Sequence, residues 1–143
     1  MSVVSEANPS RSSESALILV VERDPHVRAL ETYFLQQAGY AVEFCVDGEA
    51  ALVQARAMLP VIVVSEILIP RRDGISVCRT LKQDPATRHI LVLIFSILAA
   101  EDRARDAGAD GFLRKPVNDT LLVRAVERLL GHAAERGPAH GAR

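Results

Sequence analysis

Short apolar runs alternate with longer amphipathic stretches along most of this 143-residue chain. The first run, Leu17–Val21, contains no polar residue, as expected of a strand whose two faces are both covered. The stretches between the runs have apolar residues at helical spacing. This alternation predicts an α/β fold, in which a parallel sheet is covered by helices.

Five strand and helix units are predicted between residues 16 and 130. Strands are expected at 17–21, 40–45, 61–66, 91–95 and 111–113. Side chains suited to helix N-caps precede four of the predicted helices, at Asp24, Asp47, Asp73 and Asn118. In the first helix we expect an apolar stripe to face the core, formed by Val27, Leu30, Phe34 and Ala38.

Both ends of the chain are predicted to be tails. Residues 1–15 are polar and rich in serine, and residues 131–143 scatter glycine, alanine and proline, so neither segment buries enough apolar surface to offset the entropy of ordering. We expect a disordered N-terminal tail over 1–15, a single domain over 16–130 and a flexible C-terminal tail over 131–143. No apolar run has the length of a signal peptide or a membrane span, so we expect a cytoplasmic protein.

Composition argues against several function classes. The formal net charge of −1 lacks the basic excess of a nucleic-acid binder, so no direct contact with nucleic acid is expected. Cys45 and Cys78 lack the spacing of metal ligands and are predicted to be small core residues. No arrangement of His, Ser, Asp and Cys suited to nucleophilic catalysis is found, so we propose no catalytic residue and expect no enzyme.

Polar side chains follow four of the predicted strands. Glu22 and Arg23 follow the first strand, Glu66 ends the third, Ser96 follows the fourth and Lys115 the fifth. Because the carboxyl ends of parallel strands meet at one edge of a sheet, these side chains are expected to converge there. A carboxylate at the end of a buried strand is costly unless it is paired or used. Glu66 is therefore the central candidate residue.

Short motifs accompany these residues, namely Asp24-Pro-His-Val-Arg28, Ala38-Gly-Tyr40, Asp47-Gly-Glu-Ala50, Pro70-Arg-Arg-Asp-Gly74, Asp84-Pro-Ala-Thr-Arg-His-Ile90 and Gly108-Ala-Asp-Gly-Phe-Leu-Arg-Lys-Pro116. Over residues 16–130 this combination resembles the receiver domain of bacterial response regulators. The resemblance implies a flavodoxin-like, doubly wound sheet of five parallel strands in the order 2-1-3-4-5, flanked by five helices. It also implies a role in two-component, phosphorelay-type signal transduction.

The resemblance assigns roles to the strand ends. In this family an aspartate at the end of the third strand accepts a phosphoryl group, and two acids after the first strand help to bind Mg²⁺. Here the phosphoacceptor-equivalent position holds Glu66, and the two acidic-pocket positions hold Glu22 and Arg23.

Three further positions match the family pattern. The hydroxyl and the lysine that contact the phosphoryl oxygens in the family correspond to Ser96 and Lys115. The aromatic switch position on the fifth strand corresponds to Phe112.

The acidic positions therefore depart from the family, which changes the expected chemistry. Glu22 and Glu66 against Arg23 and Lys115 carry no net formal charge, and a guanidinium repels a divalent cation, so we expect no Mg²⁺ and no other cofactor. An acyl phosphate on Glu66 would lie about 1.5 Å further out than one on aspartate. A misplacement of about 1 Å can slow a reaction roughly 100-fold, so stable phosphorylation is not expected.

The sequence thus predicts an atypical, stand-alone receiver, a pseudo-receiver that acts by protein interaction without phosphorylation. Glu66 either mimics the phosphorylated state by pairing with Lys115 or is held by Arg23 in a fixed resting state. One alternative is a conventional receiver that accepts phosphate in a histidine kinase phosphorelay. Another is a flavodoxin-like nucleotide or flavin binder, which the absence of glycine from the first strand-to-helix turn disfavours.

The expected partners are proteins, either a histidine kinase or an output protein. No interaction with a membrane is expected. In the family the face formed by helix four, strand five and helix five binds partners or a second copy. Arginine and acidic side chains are mixed on these elements here, which indicates either a solvated face or a salt-bridged homodimer surface.

Overall fold

Five strands and five helices alternate in the computed structural model, which describes residues 15–116 and 118–142, with side chains as far as residue 134. The strands are β1 (Leu17–Val21), β2 (Ala41–Cys45), β3 (Ile62–Ser65), β4 (Leu91–Ser96) and β5 (Gly111–Arg114). The helices are α1 (Pro25–Gln37), α2 (Gly48–Met58), α3 (Gly74–Gln83), α4 (Glu101–Asp106) and α5 (Asp119–Ala142). The predicted N-terminal tail, except Ser15, lies outside the described residues.

The strands form one parallel sheet in the order β2-β1-β3-β4-β5, which confirms the predicted flavodoxin-like topology. Val21 of β1 pairs with Ser65 of β3, and Ser65 pairs with Ile94 of β4. The register therefore aligns the C-terminal ends of the three central strands. Whatever follows these strands is brought to one edge of the sheet.

Two apolar clusters cover the two faces of the sheet. Because side chains alternate along a strand, Leu19 and Val63 pack on one face with α2, α3 and α4, while Ile18 and Ile62 pack on the other with α1 and α5. The free thiols of Cys45 and Cys78 lie in the first cluster, and burial raises the pKa of both. The prediction that they are core residues is confirmed.

The four predicted N-caps are also confirmed. The side chains of Asp24, Asp47 and Asp73 each accept backbone N–H groups from the first turns of α1, α2 and α3. The side chain of Asn118 accepts the N–H of Leu121 at 2.9 Å, at the start of α5. These bonds satisfy N–H groups that have no partner inside a helix.

The predicted inner stripe of α1 is wrong. Leu30 is 56% exposed, whereas Glu31 and Leu35 are buried at 4% and 0% exposure. Residues four apart lie on one face of a helix, so the face that packs on the sheet contains an acid. Because one residue of the buried face is an acid, a prediction from the spacing of apolar residues alone did not identify that face.

The end of the last helix also differs from its prediction, because α5 continues beyond residue 130 to Ala142. Alanines follow Gly131, and alanine is the residue that favours a helix most. The predicted C-terminal tail is therefore helical over 131–142, and its flexibility stays a prediction. Neither α5 nor any other helix of the described segments is long and apolar enough to span a membrane.

Candidate functional site

Four side chains that the sequence places after different strands meet at the C-terminal edge of the sheet. Glu22 follows β1, Glu66 follows β3, Ser96 ends β4 and Lys115 follows β5. The exposure of Glu22, Glu66 and Ser96 is 3%, 5% and 0%, and that of the Lys115 side chain is 10%. Direct contacts join all four, so they form one buried polar site.

Both oxygens of the Glu66 carboxylate are hydrogen-bonded. Oε2 accepts the backbone N–H groups of Ile67 at 2.7 Å and Leu68 at 3.2 Å, and the hydroxyl of Ser96. Oε1 accepts the backbone N–H of Ile97 at 3.2 Å and the ammonium of Lys115 at 3.0 Å. The Ser96 oxygen in turn accepts the N–H of Leu98 at 3.1 Å.

These donors decide the protonation state of Glu66. Burial alone would raise its pKa, but the hydrogen bonds from Ser96, Leu68 and Lys115 favour the charged form and together hold the pKa below its ordinary value. Glu66 is therefore a carboxylate at neutral pH.

Lys115 is the cation of the site. Its Nζ lies 2.6 Å from Oε1 of Glu22 and 3.0 Å from Oε1 of Glu66, and 5.1 Å from the centre of the Phe95 ring. Burial would lower the pKa of Lys115, but Glu22 and Glu66 together raise it above the ordinary value. The second oxygen of Glu22 accepts the N–H of Asp24 at 3.1 Å, which fixes the orientation of that carboxylate.

Glu31 is a third buried acid, and it was not among the residues predicted for the site. It lies on α1, it is 4% exposed, and its Oε2 is 3.9 Å from Nζ of Lys115. Burial raises the pKa of Glu31 to about 8. The Lys115 ammonium would lower this pKa, but the charges of Glu22 and Glu66 oppose its effect. The position of Glu31 four residues before an apolar residue, Leu35, on the same face of the predicted helix was the available signal. We call Glu22, Glu31, Glu66 and Lys115 the carboxylate cluster.

Arg23 lies outside the carboxylate cluster, contrary to expectation. Its side chain is exposed and forms no ion pair with any residue that the structure describes. Arg23 lies at a bend between the end of β1 and the start of α1, where its side chain is directed to solvent while that of Glu22 is buried. The predicted charge balance is therefore wrong, because Glu22, Glu66 and the additional buried acid Glu31 face the ammonium of Lys115 without the guanidinium of Arg23.

Phe112 lies at a distance from these hydrogen bonds. It sits on β5 beside Ile94 of β4, and it is partly buried against the apolar cluster that contains Ile94. Among the groups at the end of the sheet, Ser96 and Lys115 contact Glu66 directly and Phe112 packs on the apolar face beneath them.

Comparison with known proteins gives the family of the chain. The family model described as the response regulator receiver domain matches residues 18–127. The chain is 41% identical over 119 residues to the response regulator PleD of Caulobacter vibrioides, covering 80% of this chain and 26% of PleD. It is 37% identical over 116 residues to a gliding motility regulatory protein of Myxococcus xanthus, covering 78% of this chain and 15% of that protein. The chain thus spans about a quarter of the first relative and less of the second.

Solved structures agree with this relationship. The signal receiver domain of a signal transduction histidine kinase from Syntrophus aciditrophicus is 33% identical with a TM-score of 0.78, covering 82% of this chain and 92% of that one. The chemotaxis response regulator CheY4 of Vibrio cholerae is 25% identical with a TM-score of 0.76, covering 80% and 98%. The fold, the strand-end residues and these matches together show that the chain belongs to the response regulator receiver family of two-component signalling.

Proposed function

We propose that this receiver acts without phosphorylation, as a protein-interaction module whose conformation is fixed by Glu66. One observation carries the proposal: the hydroxyl of Ser96 and the ammonium of Lys115 both donate to the Glu66 carboxylate. The family resemblance assigns these two groups to the oxygens of the phosphoryl group. Glu66 therefore provides, with its own side chain, the negative oxygens that phosphorylation supplies in other receivers.

The extra carbon of glutamate fits this role. A glutamate carboxylate reaches about 1.5 Å further from the backbone than that of aspartate. This reach brings Glu66 to Ser96 at the end of β4 and to Lys115 after β5 at the same time. The contacts support the variant in which Glu66 mimics the phosphorylated state. The other variant has no support, because Arg23 is exposed and does not contact Glu66.

The same contacts argue against attack by Glu66 on a phosphoryl donor. A nucleophilic oxygen needs a free lone pair facing the donor, and both oxygens of Glu66 are already engaged by protein donors. Hydrogen bonds that stabilise the carboxylate also lower its basicity. Phosphorylation would have to break the bonds to Ser96 and Lys115 before any bond to phosphorus formed.

We also propose that the site does not use Mg²⁺. Magnesium requires nearly octahedral coordination by oxygen ligands, and it is usually bound by one or two carboxylates. The Lys115 ammonium lies 2.6 Å from one candidate ligand, Glu22, and 3.0 Å from the other, Glu66. No group of three or more His, Cys, Asp or Glu side chains that could hold a metal ion is found in the described part of the chain. The donors present do not fit the ion.

Output is proposed to pass through protein surfaces in the cytoplasm, toward a histidine kinase or an output protein. The face of α4, β5 and α5 is the family's candidate for a second copy. On α4, however, Arg105 pairs with Glu101 and Asp102 at 3.0 Å each, and Arg114 of β5 donates to the carbonyl of Ile97. These charges are satisfied within one chain, so a homodimer on this face would depend on other contacts.

Phosphorylation is tested by incubating the protein with acetyl phosphate and Mg²⁺ and measuring its intact mass. We expect no phosphoryl adduct on the unaltered chain. The double variant Arg23→Asp, Glu66→Asp restores the acids of the family pattern and serves as the matched control, in which an adduct is expected. A stable adduct on Glu66 of the unaltered chain would instead support a conventional receiver in a histidine kinase phosphorelay.

The conformational role of Glu66 needs a separate test. We expect Glu66→Ala to shift the NMR signals of Ser96 and Phe112, because the carboxylate that holds Ser96 is gone. Arg23→Ala should leave those signals in place. If Glu66→Ala also leaves them in place, the site has no conformational role and the proposal fails.

A further inference from the structure

A cavity of about 560 Å³ lies between α1 and the start of α5, beside the carboxylate cluster. Small-molecule sites in proteins commonly have volumes of about 300 to 1,000 Å³. The walls are mainly apolar and comprise Val27, Leu30, Phe34, Phe95, Ile97 and Leu122. Three of the four α1 residues that the sequence suggested for the core, Val27, Leu30 and Phe34, therefore line an open cavity.

Two of these wall residues are unusually accessible for their type. Leu30 is 56% exposed and Ile97 is 53% exposed, and they line the same cavity from different elements. Scattered apolar residues on a surface need no explanation, but residues that converge on one concavity indicate a binding site. The apolar walls would contact the apolar part of a ligand. The polar groups that line the cavity would determine the charge of the ligand's polar end.

Glu31 lines this cavity together with Lys115 and Asp119. The Glu31 carboxyl is almost fully buried, and it receives no hydrogen bond from any residue that the structure describes. Its nearest cation, the Lys115 ammonium at 3.9 Å, is held more closely by Glu22 and Glu66 at 2.6 and 3.0 Å. Among the described residues the Thr32 hydroxyl, and not the Glu31 carboxyl, is the fully enclosed side-chain group without a hydrogen bond. The Glu31 oxygens are therefore open to the cavity, where a partner from outside the chain could supply the close contact that Lys115 does not.

We propose that this cavity binds a small organic cation, with an apolar body against the α1 and α5 walls and a primary ammonium group paired with Glu31. The charges select the sign of the head group. Glu22 and Glu66 together carry one more negative charge than the Lys115 ammonium that they share, and Asp119 adds a further acid that is exposed at the cavity and unpaired among the described residues. Lys115 is already paired with Glu22 and Glu66, so an anionic head would meet net repulsion in the cavity. A cationic head would favour release of the Glu31 proton to solvent and would pair with the resulting carboxylate.

The raised pKa of Glu31 agrees with a missing partner. The charged groups that face it are Lys115 from the end of β5, Glu22 from β1 and Glu66 from β3, with Asp119 of α5 lining the same cavity. Two of the three nearest charges oppose its ionisation. The proposal does not depend on whether Glu66 accepts phosphate, because Glu66 itself does not line the cavity.

The test uses octylamine as the probe, with 1-octanol and octanoate as probes of the same chain length. Isothermal titration calorimetry at pH 7.5 should show saturable binding of octylamine, at least about tenfold tighter than either comparison probe, as expected for one buried charge pair. The variant Glu31→Gln should lose this preference. Glu43→Gln, an equivalent change at an exposed position on β2, should keep it.

A second measurement does not require any variant. Titration of the unaltered protein with octylamine should shift the NMR signals of Val27, Leu30, Ile97 and Leu122, and leave those of the opposite apolar cluster in place. Absence of saturable binding, equal affinity for octanol or octanoate, unchanged affinity in Glu31→Gln, or shifts that map away from the cavity would each overturn the proposal.

Discussion

The ammonium of Lys115 lies 3.0 Å from Oε1 of Glu66, a residue 49 positions earlier in the chain. The two residues follow β5 and β3, which are not neighbours in the sheet, because β4 lies between them. Their contact therefore ties together the ends of non-adjacent strands, and Ser96 at the end of β4 donates to the same carboxylate.

Removing the cation should be costly. We expect Lys115→Met to lower the free energy of unfolding by about 3 to 5 kcal/mol at pH 7, because breaking a buried ion pair leaves its carboxylates without a counter-charge. Urea denaturation measures the loss. Arg23→Met is the control, with an expected change within about 0.5 kcal/mol for an exposed residue. Similar losses in both variants would mean that Arg23 does contribute to the site.

The hydroxyl of Ser96 should govern the protonation of Glu66. In Ser96→Ala the carboxylate loses a donor, so we expect the pKa of Glu66 to rise and stability to fall by about 1 to 3 kcal/mol. A pH titration of the Glu66 carboxyl carbon by NMR measures the pKa. Ser65→Ala is a close control, because the Ser65 hydroxyl donates to the backbone carbonyl of Glu66 and not to its carboxylate. Equal pKa shifts in both variants would contradict this assignment.

Glu31 should make stability depend on pH in a defined window. Its pKa is about 8 in the folded protein against an ordinary value of 4.5, so between these limits the unfolded chain is ionised while the folded protein retains the proton. The contribution of Glu31 to the free energy of unfolding therefore falls as the pH rises from 4.5 to about 8, and it changes little at higher pH.

Replacing Glu31 with methionine should remove this loss. We expect the stability of Glu31→Met relative to the unaltered protein to increase by up to about 1.4 kcal/mol per pH unit within the window. Denaturation curves at pH 5, 7 and 9 measure the trend, with Glu43→Met as the exposed control. A difference between Glu31→Met and the unaltered protein that does not vary with pH would show that Glu31 ionises normally.

Gly74 should be intolerant of a side chain because of its closeness to Glu66. A Cβ atom at Gly74 would lie 2.2 Å from the backbone carbonyl oxygen of Glu66. We expect Gly74→Ala to cost about 1 to 3 kcal/mol through overpacking and to shift the amide signals of Ile67 and Leu68, which donate to the Glu66 carboxylate. Gly131→Ala has no neighbour within 4 Å and lies within α5, so it should stabilise by about 0.5 to 1 kcal/mol. An undisturbed Ile67 amide in Gly74→Ala would contradict the expected displacement.

Local chemistry made much of this molecule predictable. Asp24, Asp47 and Asp73 identify helix starts because a short acidic side chain reaches only the N–H groups just after it. The convergence of Glu22, Glu66, Ser96 and Lys115 was predictable because parallel strands end at one edge.

The failures concern the direction in which individual side chains point. Arg23 was predicted to lie in the site and Glu31 was not, whereas Glu31 is buried in the site and Arg23 is exposed. The sequence shows an arginine next to Glu22, but it cannot show that the arginine side chain turns outward. Glu31 enters the carboxylate cluster from α1, and that depends on the rotation of the helix about its axis. The same rotation directs Leu30 toward the cavity and Leu35 into the core.

The bonds between Glu66 and its donors have a consequence for timing. A phosphoryl group on a receiver is added and hydrolysed, so the modification has a lifetime of its own and can act as a clock. A carboxylate built into the side chain does not decay. If Glu66 takes the place of the phosphoryl group as proposed, the duration of the signal would be set by synthesis and degradation of the polypeptide, and its strength by how many copies compete for each partner.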